Sequence, residues 1–146
     1  MDKNEINTLF SKGMDCSQIV LMEMSEKIRC SSFECAKIAS AFGGGMGIGD
    51  TCGAVTGALM ALGIKYGNGR QEDFSSKEIL RKKVERFHTE FLNKHKSLIC
   101  RELTGYDFSK KGEFEKAVKI RIIEEKCPHY CPHYVLSALE ILNEIL

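Results

Sequence analysis

The segment from Phe42 to Ile64 reads FGGGMGIGDTCGAVTGALMALGI. Its first part, Gly43 to Asp50, is rich in glycine, which favours a loop over a regular helix. A helix can then begin near Cys52, because Asp and Thr just before it are common N-cap residues. Gly53 and Gly57 stand four residues apart, so one side of this helix is flat enough for a neighbouring backbone to approach. The segment therefore predicts a glycine loop followed by a central Gly/Ala-rich helix.

Amphipathic patterns on both sides of this segment predict further helices. Apolar residues recur at spacings of three and four, and serine or aspartate stands at several expected N-caps. The predicted helices cover about residues 3–12, 16–28, 32–42, 52–64, 75–92, 114–126 and 132–146, with a short turn at 100–105. A chain of 146 residues suits one hydrophobic core. We therefore expect an all-α, single-domain bundle over residues 1–146, with about six or seven helices around the central helix.

The charge pattern and the N-terminus argue against several function classes. The chain has 21 basic and 20 acidic side chains that are interleaved, so no surface is built to hold a phosphate backbone. Residues 2–5 are polar where a secretory signal needs an apolar core. The most apolar window, Cys52 to Ile64, is shorter than the roughly 20 residues that a membrane-spanning helix needs. We expect a cytoplasmic protein that binds no nucleic acid and does not insert into a membrane.

The chain contains seven cysteines, which indicates metal binding or thiol chemistry, since a reducing cytoplasm disfavours a disulfide framework. Four of them stand at or next to predicted helix starts, namely Cys16, Cys52, Cys100 and Cys131. Unpaired N–H groups and the helix dipole at such positions are expected to lower a thiol pKa and to favour the thiolate that binds metal. Cys30 and Cys35 are expected to face different directions and to act as packing residues.

If these four helix ends converge, they supply four soft anionic ligands and free N–H donors for the sulfides of an iron–sulfur cluster. Glycines beside the ligands would let backbone amides approach the sulfur atoms closely. We therefore predict Gly45 in the loop and Gly53 in the helix as cofactor-binding positions. No side chain is predicted to be a catalytic group.

Several runs of residues resemble a known family. They are Phe42-Gly43-Gly44-Gly45-Met46-Gly47, Thr51-Cys52-Gly53-Ala54-Val55-Thr56-Gly57 and Cys100-Arg101-Glu102-Leu103. With the upstream and downstream cysteines they resemble the C-GCAxxG-C-C family of redox-active proteins over nearly the whole chain. The resemblance implies a helical protein with four characteristic cysteines and a distant likeness to the iron–sulfur domain of split-Soret cytochromes. Carried onto this sequence, the four are Cys16, Cys52, Cys100 and either Cys131 or Cys127. We prefer Cys131, because the last helix begins directly after it.

The tandem repeat Cys127-Pro128-His129-Tyr130 and Cys131-Pro132-His133-Tyr134 leaves an alternative open. Its alternating cysteines and histidines are potential ligands of a local zinc or copper ion. The two prolines argue against a metal site whose ligands lie on one helix, and the spacing of the cysteines does not match a two-residue zinc knuckle.

The favoured function is a redox-active protein that binds an iron–sulfur cluster, of the [2Fe-2S] type, and acts in electron transfer or redox sensing. An electron carrier with a redox partner protein is favoured over a catalyst with its own substrate. One alternative is a thiol–disulfide oxidoreductase that uses Cys52 with Cys16 or Cys100. A second alternative is a zinc-stabilised interaction module. The long amphipathic helices also allow a homodimer.

Overall fold

The computed structural model describes residues 1–123 and 131–146, and within these ranges the chain is all-α, as predicted. Its only extended pairing there is one antiparallel bridge between Thr51 and Ile99. The helices are α1 (Lys3–Ser11), α2 (Cys16–Glu23), α3 (Ser25–Ile28), α4 (Ser32–Ala39), α5 (Gly53–Tyr66), α6 (Phe74–His95), α7 (Cys100–Thr104), α8 (Glu113–Ile123) and α9 (Cys131–Ile145), with a π-helical turn at Gly45–Gly49. The predicted end of the 114–126 helix lies outside the described residues.

The Gly/Ala-rich helix α5 lies at the centre, as its sequence predicts. It packs against α2, α3, α6 and α9. The approach to α2 is close, because a Cβ atom added at Gly57 would lie 2.6 Å from the carbonyl oxygen of Ser17. Only glycine permits this distance, so the flat side of α5 sets the position of α2.

The described chain has two short helices, α3 and α7, in addition to the seven longer helices that the sequence predicts. The predicted helix over residues 16–28 divides into α2 and α3 at Met24, which has a ψ of −5° and serves both as the C-cap of α2 and as the N-cap of α3. The turn keeps Met24 and Ile28 in the core, with exposed fractions of 3% and 5%. The predicted turn at 100–105 is the helix α7, which ends at Gly105 in the left-handed conformation with a φ of 77°.

One continuous core joins α1 to α7 and α9. Its largest fully buried side chains include Phe87 and Phe91, which stack one turn apart on α6. Each such side chain contributes about 1.5–3 kcal/mol relative to an exposed one. Among the residues that the structure describes, no helix combines the length and the apolar character that crossing a membrane requires.

Candidate functional site

Four cysteines from four different parts of the chain line one cavity of about 340 Å³. Cys16, Cys100 and Cys131 are the first residues of α2, α7 and α9, and Cys52 is the N-cap of α5. Their exposed fractions are 4–7%, so all four are buried. The predicted helix starts therefore meet at one place, which we call the cysteine cavity. The other lining residues are Asp15, Ser40, Ala41, Gly43, Gly44, Gly47, Gly53, Thr104, Phe108, Phe114 and Tyr134.

The first turn of α2 is fixed by hydrogen bonds from the two residues that follow Cys16. The buried Ser17 hydroxyl donates to the carbonyl of Ala39 at 2.8 Å. The Gln18 amide donates to the carbonyl of Ala36 at 3.0 Å and also accepts from the N–H of Asp15 at 2.9 Å, which completes a capping box. The start of α2 is thus tied to α4, and the position of Cys16 follows from this contact.

A short pairing of extended residues places Cys52 beside Cys100. The Cys52 N–H donates to the carbonyl of Leu98 at 2.8 Å, and the Cys100 N–H donates to the carbonyl of Asp50 at 2.6 Å. These two bonds flank the antiparallel bridge between Thr51 and Ile99. The sequence analysis missed this pairing, because three residues on each side are too few to give an alternating pattern.

Within the glycine loop, Gly43, Gly44 and Gly47 line the cysteine cavity, whereas Gly45 supports it without lining it. Gly45 has a φ of 63°, and a Cβ atom there would lie 2.6 Å from the carbonyl oxygen of Asp50 and 2.8 Å from the Cβ of Cys100. Gly45 thus permits the position of Cys100 but does not line the cavity, so its predicted contact with a cofactor stays a prediction. Gly53 does line the cavity, and a Cβ there would lie 3.1 Å from the Cβ of Cys16.

Burial dominates the electrostatics of Cys52. Burial is the largest cause of a Cys52 thiol pKa raised to about 12, and charge repulsion from the nearby Cys131 and Cys100 contributes to the same shift. The N–H groups of Ala54 and Val55 at the start of α5 act in the opposite direction but do not prevail. The expectation that a helix start lowers the thiol pKa is therefore wrong for Cys52, because the loss of solvation outweighs the helix end.

Aromatic side chains form part of the cavity wall and were not predicted from the sequence. Phe108 and Phe114 meet edge to face, with ring centroids 5.7 Å apart. Tyr134 donates its hydroxyl to the carbonyl of Leu103 at 2.7 Å, which ties α9 to α7. The position of Tyr134 in the cavity wall could have been predicted, because Tyr134 stands three residues after Cys131 and therefore on the same face of the helix.

A larger cleft of about 640 Å³ shares Tyr134 with the cysteine cavity but is lined by no cysteine. It contains His95 and His133. The His95 ring packs against Tyr134 with centroids 5.0 Å apart, and its buried Nε2 atom has no hydrogen-bond partner in the described part of the chain. Despite its size, this cleft contains none of the predicted cysteine ligands.

The cysteine sulfurs share a cavity without being gathered around a single point. Across the described ranges, no group of three or more histidine, cysteine, aspartate or glutamate side chains is arranged to hold a metal ion. Cys127 and His129 lie outside these ranges. The choice between Cys127 and Cys131, and the local zinc or copper site of the tandem repeat, therefore stay predictions.

Comparison with known proteins identifies the family. The profile of the family described as "Putative redox-active protein (C_GCAxxG_C_C)" matches residues 14–145. No curated protein and no solved structure matches the chain, so the likeness to split-Soret cytochromes stays a prediction. Because the match includes all four cysteines of the cavity and nearly all of the 146 residues, this chain belongs to the C_GCAxxG_C_C family of redox-active proteins.

Proposed function

We propose that this protein binds an iron–sulfur cluster in the cysteine cavity through Cys16, Cys52, Cys100 and Cys131, and that it acts as an electron carrier or redox sensor. Membership of the family supports a redox role in general. One observation carries the finer proposal, namely that four cysteines from four separate helix starts line the same buried cavity. Thiolates are the usual ligands of iron–sulfur clusters.

The size of the cavity favours a cluster over a single zinc ion. Structural zinc holds four donors at about 2–2.3 Å, so its ligands must close tightly around one point. The cavity has a volume of about 340 Å³, and its cysteines are not arranged around one point. A cluster suits this arrangement better, because its ligands are distributed over several iron atoms separated by sulfides. Within this class we propose the [2Fe-2S] type.

The residues around the cavity would bind the cluster and limit its contact with water. Gly44, Gly47 and Gly53 contribute no side chain to the wall, which leaves space beside the cysteines. The aromatic rings of Phe108 and Tyr134 also line the cavity. When bound, an iron–sulfur cluster supplies one-electron transfer, and its potential depends on hydrogen bonds and solvent access.

The environment of Cys52 opposes the alternative of a thiol–disulfide oxidoreductase in this cavity. Attack on a disulfide requires a thiolate. A pKa of about 12 leaves very little thiolate on Cys52 at neutral pH. Cationic metal would offset the cost of the buried negative charge, because thiolate ligands exchange their protons for metal on binding. The buried thiols are thus better suited to holding metal than to attacking a substrate.

The glycine loop offers a route for electrons to a redox partner protein. Met46 and Ile48 have exposed fractions of 37% and 53%, and they flank Gly47, which lines the cavity. A partner that docks over this loop would come close to the proposed cluster. We further propose that the protein acts in the cytoplasm, where a reducing environment would keep its cysteines available as thiols.

Iron and sulfide analysis of single-cysteine variants tests the proposal. Each cysteine of the cavity is replaced by alanine, and the protein is purified without oxygen. We expect each variant to lose most of its iron and acid-labile sulfide relative to the unchanged chain. Cys35→Ala is the matched control, because Cys35 is also buried but does not line the cavity. Equal iron contents in all variants, or zinc without sulfide, would contradict the proposal.

A further inference from the structure

Cys30 and Cys35 lie outside the cysteine cavity, at the start of α4. Arg29 ends α3 in the left-handed conformation with a φ of 56°, and Ser31 is the N-cap of α4, where its hydroxyl accepts from the N–H of Glu34 at 3.2 Å. Cys30 is therefore the residue before the N-cap, and Cys35 is the fourth residue of the helix. Side chains at these two positions pack on each other in the hydrophobic staple that often accompanies a capped helix.

The two thiols interact, since Cys30 contributes to the raised pKa of Cys35 both through its side chain and through charge repulsion. Cys35 is completely buried, whereas Cys30 is half-buried at the edge of the core. The expectation that they face different directions is wrong. It placed the two residues on either side of a helix start but took no account of the turn at Ser31, which brings the preceding residue back over the first turn of α4.

We propose that Cys30 and Cys35 form a second redox site, a dithiol that low-molecular-weight disulfides oxidise to an intramolecular disulfide. Cys30 is partly exposed to solvent and can be reached from it, and the buried Cys35, four residues into the capped helix, would serve as the resolving thiol. Burial and the neighbouring Cys30 raise the pKa of Cys35 to about 12, which fits a role as the second thiol and not as the first attacking group.

The exchange proceeds in two balanced steps. In the first, the Cys30 thiolate attacks one sulfur of the small disulfide, a mixed disulfide forms, and one small thiolate leaves and takes up a proton. In the second, the Cys35 sulfur loses its proton and attacks the Cys30 sulfur, and the second small thiol leaves. The protein dithiol loses two electrons and two protons, and the small disulfide gains them as two thiols.

Peptide mapping of the full chain tests this site, because trypsin is expected to release both cysteines in one peptide. The peptide from Cys30 to Lys37, CSSFECAK, contains no other cysteine. The native protein is incubated with glutathione disulfide, denatured in iodoacetamide, digested and analysed by mass spectrometry. We expect the peptide to be two hydrogens lighter than its reduced form and to carry no alkyl group. An alkylated peptide after this treatment, or Cys35 joined to a peptide from the cavity, would overturn the proposal.

Two variants separate the roles of the thiols. In Cys35→Ala, the mixed disulfide with glutathione should remain on Cys30, because no second thiol resolves it. In Cys30→Ala, Cys35 should stay reduced and be alkylated after denaturation. Modification of Cys35 at the rate of Cys30 would contradict the assignment. If a variant folds poorly, the tryptic peptide analysis of the unchanged chain still shows whether the disulfide forms. The outcome of that analysis does not depend on the iron–sulfur proposal.

Discussion

Replacing Gly57 by alanine should separate α2 from α5 and destabilise the fold. An added Cβ atom would lie 2.6 Å from the carbonyl oxygen of Ser17 and 3.1 Å from its Cα. These are backbone atoms that cannot rotate away, so the helices must move apart. Overpacking of this kind costs about 1–3 kcal/mol, and the direct contact with backbone places Gly57→Ala near the upper value.

The same substitution at Gly63 provides the control, because both glycines lie in α5. A Cβ atom at Gly63 would meet nothing within 4 Å. Alanine is favoured over glycine inside a helix by about 1 kcal/mol, and this gain applies to both variants. We therefore expect Gly63→Ala to stabilise the protein by about 1 kcal/mol and Gly57→Ala to destabilise it by about 2 kcal/mol, after combining the overpacking cost and the helix gain.

Thermal unfolding followed by circular dichroism measures this difference. One kcal/mol corresponds to about 2–4 °C for a chain of this size, so the two variants should differ in Tm by roughly 6–12 °C, with opposite signs relative to the unchanged chain. If Gly57→Ala unfolds at the same temperature as Gly63→Ala, α2 and α5 are not in backbone contact. The close approach of Gly53 to Cys16, which joins the same two helices, would then be contradicted as well.

Three further predictions concern single residues near the site. Ser17→Ala removes the buried hydrogen bond to the Ala39 carbonyl. It should lower the free energy of unfolding, measured by urea titration, by about 1–3 kcal/mol. An unchanged free energy of unfolding would show that this bond does not hold α2. Gly45→Ala places a Cβ atom 2.4 Å from the backbone nitrogen of Asp50, at a residue with a positive φ. It should therefore destabilise the fold and lower the amount of iron retained after anaerobic reconstitution. Unchanged stability and unchanged iron content would contradict the described loop. Burial and the charge of a neighbouring lysine lower the pKa of His95, so stability should fall as the pH drops from 7 through about 6.5, because the unfolded state binds the proton first. His95→Phe should reduce this fall in Tm, and an identical pH dependence would contradict it. The charged and titratable groups around this ring are Lys3, Lys94, Glu102, His133 and Glu140.

Much of the fold could be predicted from local patterns. The glycine spacing in α5 indicated a helix that another backbone approaches closely, and Gly57 makes this contact with Ser17. Asp15 as an N-cap and Pro132 as a first-turn residue also predicted the positions of Cys16 and Cys131 at helix starts. These features depend on residues within about one helical turn of each other, which is the range over which caps and periodicity act.

The rest depends on contacts between distant parts of the chain. The pairing that sets Cys52 beside Cys100 joins residues almost fifty positions apart and has no periodic signal. The direction of the Cys52 pKa could not be predicted either, because burial is a property of the assembled core. The interaction between Cys30 and Cys35, in contrast, could have been predicted. The two residues stand before and after the Ser31 cap, at the positions that form a hydrophobic staple.

The metal content and absorption spectrum of anaerobically purified protein test the central claim most directly. We expect a coloured protein with iron and acid-labile sulfide in equal amounts, and with visible absorption that fades on addition of a one-electron reductant. Iron and sulfide absent after reconstitution with both, or one zinc per chain without sulfide, would contradict an iron–sulfur cluster held by Cys16, Cys52, Cys100 and Cys131.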